Sequence, residues 1–252
     1  MITLKIWVTC RCNHLCKSMP EFTSWILRCS CIYIIYLMGC VSMDVTIYVL
    51  NTSNAEYQHK QYQRWYSQQF KHFCIAQHTG CNMKDITLHR GEYGKPLITT
   101  PSQYYFNTSH TSGYSVCIVS DYNVGVDIEK IAPIDLSIPD KYFAVEEAHY
   151  IRAGRIEQQL LRFYELWTLK ECYLKLIGTG LYKSLDSFAI VPGHNNYSIK
   201  DDMATRPDQL SVFSRQFNRD YRLSIIMDTA TASTLNVEIT NITPTFNKDF
   251  IL

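Results

Sequence analysis

Apolar and polar residues alternate along Val45–Leu50, and that period of two predicts a first strand. Tyr57–Gln77 runs without Gly or Pro and predicts a polar, aromatic helix. Asp85–His89 predicts a short strand leading into the loop Gly91-Glu92-Tyr93-Gly94-Lys95-Pro96. Tyr104–Asn107 and Tyr114–Ser120 read as strands, Asp121-Tyr122-Asn123 as a turn, and Val124–Ile128 as the returning strand. Ile138–Phe143 is punctuated by Pro139. Glu146–Arg155 and Gln158–Ile177 read as helices, the second stopped by Gly178 and Gly180. Phe188–Val191, Tyr197–Ile199, Leu210–Phe213, Tyr221–Ile226 and Thr234–Thr240 read as late strands. Strands that follow one another in groups, rather than alternating with helices, predict an α+β fold.

Residues 1–42 break from this pattern. They hold Cys10, Cys12, Cys16, Cys29, Cys31 and Cys40, six of the ten cysteines. Trp25–Val41 is almost wholly apolar around Arg28, at the short edge of the roughly 20 residues that a membrane span needs. Leu37-Met38-Gly39-Cys40 resembles a lipoprotein processing box, and Cys10, Cys12, His14 and Cys16 lack the paired spacing of a zinc site. The expectation is a non-domain N-terminal extension over 1–42, with signal, anchor and metal site as the alternatives. From Met43 onward, Cys74, Cys81, Cys117 and Cys172 show no pairing pattern, which suits free thiols in a reducing cytoplasm.

Charge narrows the function. Lys and Arg number 24 and Asp and Glu 23 in 252 residues, a balance that excludes a strongly basic nucleic-acid binder. A hydrophobic share of 46% supports a packed core and excludes wholesale disorder.

Some short segments carry chemistry. In Gly125-Val126-Asp127-Ile128-Glu129, strand geometry puts Asp127 and Glu129 on one face and Val126 and Ile128 on the other. Paired hard oxygen donors suit Mg2+, which keeps waters and substrate phosphates in its shell; a solvated hairpin edge is the ordinary alternative. In Trp167-Thr168-Leu169-Lys170-Glu171-Cys172-Tyr173-Leu174-Lys175, helical spacing places Trp167, Lys170, Glu171, Leu174 and Lys175 on one arc, opposite an apolar arc. Glu171 adds a third carboxylate for the metal, with the Lys170 and Lys175 ammonium groups beside it to meet phosphate of the cofactor; a helix salt bridge to Lys175 is the alternative. Lys95, in Gly94-Lys95-Pro96, and Ser109-His110 offer donors suited to phosphate oxygens, with turn chemistry as the alternative.

The order and spacing of these segments resemble the surfactin-synthetase type of 4′-phosphopantetheinyl transferase. The resemblance runs through Gly94-Lys95-Pro96, Phe106-Asn107-Thr108-Ser109-His110, Gly125–Glu129, Phe143 with Glu146-Glu147, Trp167–Lys175 and Gly178-Thr179-Gly180-Leu181, from about Val45 to about Val191. It implies two similar α/β halves, 43–122 and 123–252, with the site in the cleft between them. It implies transfer of the 4′-phosphopantetheine arm of coenzyme A to a serine of an apo carrier protein, with release of adenosine 3′,5′-bisphosphate. Asp127, Glu129 and Glu171 would hold Mg2+; Glu171 would act as general base and Lys175 would stabilise the leaving phosphate. Lys95, Ser109 and His110 would hold phosphates of coenzyme A, and Lys170 and Trp167 would shape the site. One departure stands out: where the family has a longer basic stretch and a helix arginine that grip the nucleotide, this chain offers Arg64 against that arginine, with Ser67 in place of a glycine, and Lys60 as the one candidate base in the short segment before it. Two halves in one chain can close the cleft alone, so the expectation is a monomer, cytoplasmic by its cysteines, with no nucleic-acid or membrane partner. A catalytically degenerate module that binds coenzyme A or a carrier protein is the alternative.

Overall fold

A computed structural model describes residues 42–53, 60–194, 196–202, 209–229 and 234–243. The expected extension, apart from Ser42, and the first residues of the expected helix lie outside them. Strand β1 (Ser42–Asn51) is followed by helix α1 (Lys60–Thr79), the hairpin β2 (Thr87–Arg90) and β3 (Pro96–Thr100), and strands β4 (Tyr105–Thr111), β5 (Tyr114–Ser120) and β6 (Val124–Lys130). Helices α2 (Ile138–Tyr142), α3 (Val145–Arg152) and α4 (Ile156–Ile177) come next. Strands β7 (Ala189–Pro192), β8 (Tyr197–Lys200), β9 (Leu210–Phe217), β10 (Tyr221–Asp228) and β11 (Thr234–Ile242) complete the α+β fold.

Two main sheets result, in the orders β11-β1-β5-β4 and β6-β10-β9. Strand β1 pairs antiparallel to β5, with Ile47 opposite Ile118, and parallel to β11, with Ile47 opposite Ile239. Strand β11, late in the chain, thus joins the sheet of the first strands and crosses the division expected near residue 122. Strand β4 lies against β6, and β11 against β9, so the sheets meet at both edges. They enclose an interior of Val45, Ile47, Val49, Val126, Ile128 and Ile225. The opposite face of β1, with Tyr48 and Leu50, packs on Phe70, Cys74 and Ile75 of α1. The alternation in β1 therefore serves two cores rather than a core and solvent, because both faces of the sheet are covered.

The hairpin corrects one reading. The segment read as a loop over Gly91–Pro96 is a turn closed by Gly91 N–H donating to the Lys95 carbonyl at 2.9 Å, and Pro96 opens β3 opposite Arg90. Proline is tolerated there because it opens the strand. Helix α4 ends where expected: Gly178 takes φ +80°, and its N–H caps the Leu174 carbonyl at 2.9 Å.

Contact between β6 and α4 is set by Gly125. A Cβ on that residue would stand 2.0 Å from the Cys172 carbonyl oxygen and 2.9 Å from the Leu176 nitrogen. Helix and strand meet backbone to backbone, which only glycine permits. Gly125→Ala is expected to force α4 away and to cost about 3 kcal/mol, the upper end of overpacking penalties. Thermal denaturation should show a fall of about 6–12 °C, taking 2–4 °C per kcal/mol for a chain of this size.

Candidate functional site

The seam between β4 and β6 builds the site. No backbone ladder joins the two strands; alternate side chains of β4 bridge them instead. Asn107 Oδ1 accepts from Val126 N–H at 3.1 Å, and Ser109 Oγ donates to Asp127 Oδ1 at 2.7 Å. Thr111 Oγ1 donates to Glu129 Oε2 at 3.2 Å and accepts from Lys130 N–H at 3.3 Å. Residues i, i+2 and i+4 of one strand share a face, so these rungs aim Asp127 and Glu129 the same way. The Val126 and Ile128 side chains fill the interior on the other face.

Helix α4 brings the remaining groups. Its close approach at Gly125 sets Glu171 and Lys175, one turn apart, over the strand. Lys175 Nζ donates to Asp127 Oδ1 at 2.6 Å and to the Val126 carbonyl at 3.2 Å. Asp127 is 3% exposed, and its Oδ2 is buried with no hydrogen-bond partner. Burial pushes the Glu171 pKa up, and the charge of Asp127 adds to the effect. Glu129 is raised by burial and then by Asp127, with Thr111 and Lys175 partly relieving it. Burial works against the Lys175 ammonium, but the Asp127 carboxylate more than offsets it and holds its pKa above the usual lysine value. The site is a negatively charged, half-buried patch with one neutralising ammonium.

This donor set suits a hard divalent cation: oxygen ligands only, mutually repelling, with one buried oxygen left unpaired. Among the described residues, however, no three His, Cys, Asp or Glu side chains gather closely enough to hold a metal ion as they stand. Lys175 and Ser109, not a converging carboxylate, are the groups that meet Asp127 Oδ1.

The other expected residues fall in different places. Ser109 and His110 line a cavity of about 450 Å3 between α1 and β4, together with Ser67 and Lys71. Arg64 is exposed and does not line it, although Gln63 does. Lys95 Nζ donates to Asn123 Oδ1 at 2.9 Å and to the Leu176 carbonyl at 3.0 Å, so it caps the C-terminal end of α4. Burial lowers its pKa to about 8. Trp167 borders an apolar cavity of about 490 Å3 beside Glu129, with Ile134, Ile138 and Tyr142.

Lys170 leaves the set altogether. The helical arc predicts an exposed ammonium; the structure buries it completely, its side chain 0% exposed. Nζ donates to both oxygens of Glu147 at 2.8 and 2.6 Å and to the Phe188 carbonyl at 2.8 Å, and it stands 4.0 Å from the centre of the Phe188 ring. Helix α4 is covered on more than one side, by β6 and β10 and by α3 and β7, so a charged position on its far arc meets protein rather than water. With its donors used and no exposed surface, Lys170 is a structural cation and not a phosphate ligand.

Sequence reasoning missed Asn107, Thr111 and Lys71. The first two carry a partial signal, since strand parity groups them with Ser109, although Thr108 and His110 between them are polar as well. Lys71 carries none, because the facing of α1 is set by what packs beneath it.

A family profile described as the 4′-phosphopantetheinyl transferase superfamily matches residues 123–226, the stretch from β6 into β10 that holds the carboxylates. The 4′-phosphopantetheinyl transferase gsp of Aneurinibacillus migulanus is 38% identical over 107 residues, 42% of this chain and 44% of the relative. The 4′-phosphopantetheinyl transferase Sfp of Bacillus subtilis strain 168 is 35% identical over 116 residues, 46% of this chain and 52% of the relative. The 4′-phosphopantetheinyl transferase ffp of Bacillus subtilis is 31% identical over 169 residues, 63% of this chain and 75% of the relative. The chain belongs to the 4′-phosphopantetheinyl transferase family. It aligns with about half the length of the first two of these relatives. Asp127, Glu129, Glu171 and Lys175 of this phosphopantetheinyl transferase family member all lie inside the profile match, whereas the α1–β4 cavity lies outside it.

Proposed function

We propose that the chain transfers the 4′-phosphopantetheine arm of coenzyme A to a serine hydroxyl of an apo carrier protein. The observation that carries this reading is the unpaired, buried Asp127 Oδ2 beside Glu129 and Glu171, two carboxylates whose ionisation their surroundings oppose. Such a cluster is relieved by a cation, and Asp127, Glu129 and Glu171 would hold Mg2+. Bound there, the metal would supply charge neutralisation at the pyrophosphate of coenzyme A. Glu171 accepts the serine proton, directly or through water; its raised pKa brings its basicity closer to the working pH. The serine oxygen bonds to the phosphorus of the phosphopantetheine arm as the pyrophosphate P–O bond breaks. Adenosine 3′,5′-bisphosphate leaves, and the Lys175 ammonium stabilises the departing phosphate. Ser109 holds Asp127 in place, and His110 faces the nucleotide.

The α1–β4 cavity adjoins the carboxylates through Ser109, so we place coenzyme A across that seam. The described cysteines Cys74, Cys81, Cys117 and Cys172 are free thiols, in keeping with a reducing cytoplasm. No described helix is long and apolar enough to cross a membrane.

Intact-protein mass spectrometry of apo carrier proteins mixed with the chain, coenzyme A and Mg2+ tests the reading. A metal-dependent gain of one phosphopantetheine is the expected result. A folded chain that binds coenzyme A but modifies no fatty-acid, polyketide or peptide carrier would instead be a binding module.

A further inference from the structure

We propose that Lys95 is a positioning residue: through the end of α4 it holds the Lys175 ammonium over Asp127 for the transfer. The proposal rests on the transferase reading and adds a residue to that site. Lys95 stands in the turn between β2 and β3. Gly91 N–H donates to its carbonyl at 2.9 Å, and Arg90 Nη1 donates to the Gly94 carbonyl at 3.1 Å, so the turn is closed twice. The stem of Lys95 runs along Gly178, where an added Cβ would stand 3.3 Å from Lys95 Cδ. The Tyr93 and Tyr182 rings, 5.2 Å apart, join the same turn to the segment after α4. The hairpin is thus seated on the exit of α4. Lys95 lines neither the α1–β4 cavity nor the apolar one beside Trp167.

The last carbonyls of a helix have no partner within it, so donors must come from outside. The Leu176 carbonyl accepts from Lys95 Nζ at 3.0 Å and from Asn123 Nδ2 at 3.0 Å. Lys95 Nζ also donates to Asn123 Oδ1 at 2.9 Å, which closes a three-cornered clip. An ammonium at this place also meets the negative end of the helix dipole. Both of these acceptors are neutral oxygens, and burial lowers the Lys95 pKa to about 8. Asn123 is itself fixed: it directly precedes β6, and its carbonyl accepts from Asp228 N–H at 2.9 Å. The clip therefore ties the last turn of α4 to the start of β6. Lys175 is the residue before Leu176, and its Nζ reaches Asp127 Oδ1 at 2.6 Å and the Val126 carbonyl at 3.2 Å. Strand β6 presents the acceptors; the clip fixes the backbone that carries the ammonium to them.

Steady-state transfer kinetics of the full chain test this, at a temperature where circular dichroism shows every variant folded. Lys95→Met should lower kcat about 10-fold and leave the KM for coenzyme A within about 2-fold. That is short of the roughly 100-fold cost of a 1 Å misplacement, because Asn123 still holds the carbonyl. Adding Asn123→Ala should bring the fall to about 100-fold. In a Lys175→Met background, Lys95→Met should change kcat by less than about 2-fold, because its route to the reaction is gone. A role in stability alone would not depend on Lys175. Exchange of the Gly178 amide, which bonds the Leu174 carbonyl in the same turn, should quicken about 10-fold in Lys95→Met. An unchanged kcat or an unchanged exchange rate overturns the proposal; a raised KM at unchanged kcat would make Lys95 a coenzyme A ligand instead. A full loss in the Lys175→Met background places the effect elsewhere and also overturns it. A folded wild type that transfers to no carrier protein overturns the transferase reading as well.

Discussion

Glu171→Gln should yield a chain that is more heat-stable than the wild type and inactive. Glu171, Glu129 and Asp127 crowd one half-buried patch, where burial and then mutual repulsion raise the pKa values of both glutamates. Removing one charge relieves that repulsion, while Lys175 keeps its 2.6 Å contact with Asp127. A rise in Tm of about 2–4 °C, equivalent to roughly 1 kcal/mol, is expected from such a stability–activity trade. Transfer should fall at least about 1,000-fold, because the proposed mechanism uses this one residue as both metal ligand and general base. The pH dependence has a definite sign. A carboxyl whose folded pKa is raised holds its proton more tightly in the native state, so its contribution favours folding at low pH and is lost as pH rises. The Tm gap between variant and wild type should therefore narrow as pH falls below the raised pKa of Glu171. Added Mg2+ should act in the opposite sense, raising the wild-type Tm more than that of the variant. A variant less stable than the wild type, or one with full transfer, would remove Glu171 from this role.

Lys170→Met should be the most destabilising single change in α4. It strands the Glu147 carboxylate in a site where that side chain is 0% exposed. Breaking a buried pair by removing one partner costs about 3–5 kcal/mol. Urea denaturation should register that loss. Burial already pushes the Glu147 pKa up with Lys170 present, and without the ammonium its protonated form is favoured further. The deficit should shrink as the pH is lowered and Glu147 takes a proton. Adding Glu147→Gln should restore part of the stability. It removes the stranded charge but keeps one acceptor for the Ala144 and Ile190 N–H groups that the carboxylate now serves at 2.9 and 2.8 Å. A ΔΔG below about 1 kcal/mol for Lys170→Met would mean that the pair contributes no more than an exposed one.

What could be read from the chain is local in origin. The period of two in Gly125–Glu129 put Asp127 and Glu129 on one face, and β6 carries them so because strand alternation depends on backbone geometry alone. Helix α4 ends at Gly178 because a left-handed cap needs a residue without a Cβ. Glu171 and Lys175 lie one turn apart in any helix. Other features depend on partners far along the chain. Lys170 reads as an exposed charge until Glu147, 23 residues earlier, and Phe188, 18 residues later, are packed against it. The β4 rungs exist because β4 and β6 meet as sheet edges, and which edges meet is a property of the whole topology. The facing of α1, which puts Ser67 and Lys71 at the cavity, follows from the Phe70 and Cys74 stripe seated on β1 and β5. The sequence by itself therefore determined the elements, the family and the carboxylates, all carried by residues a few positions apart. Tertiary structure alone decided which charges line a cavity and which are buried, because burial and pairing are settled by neighbours that sequence distance does not reveal.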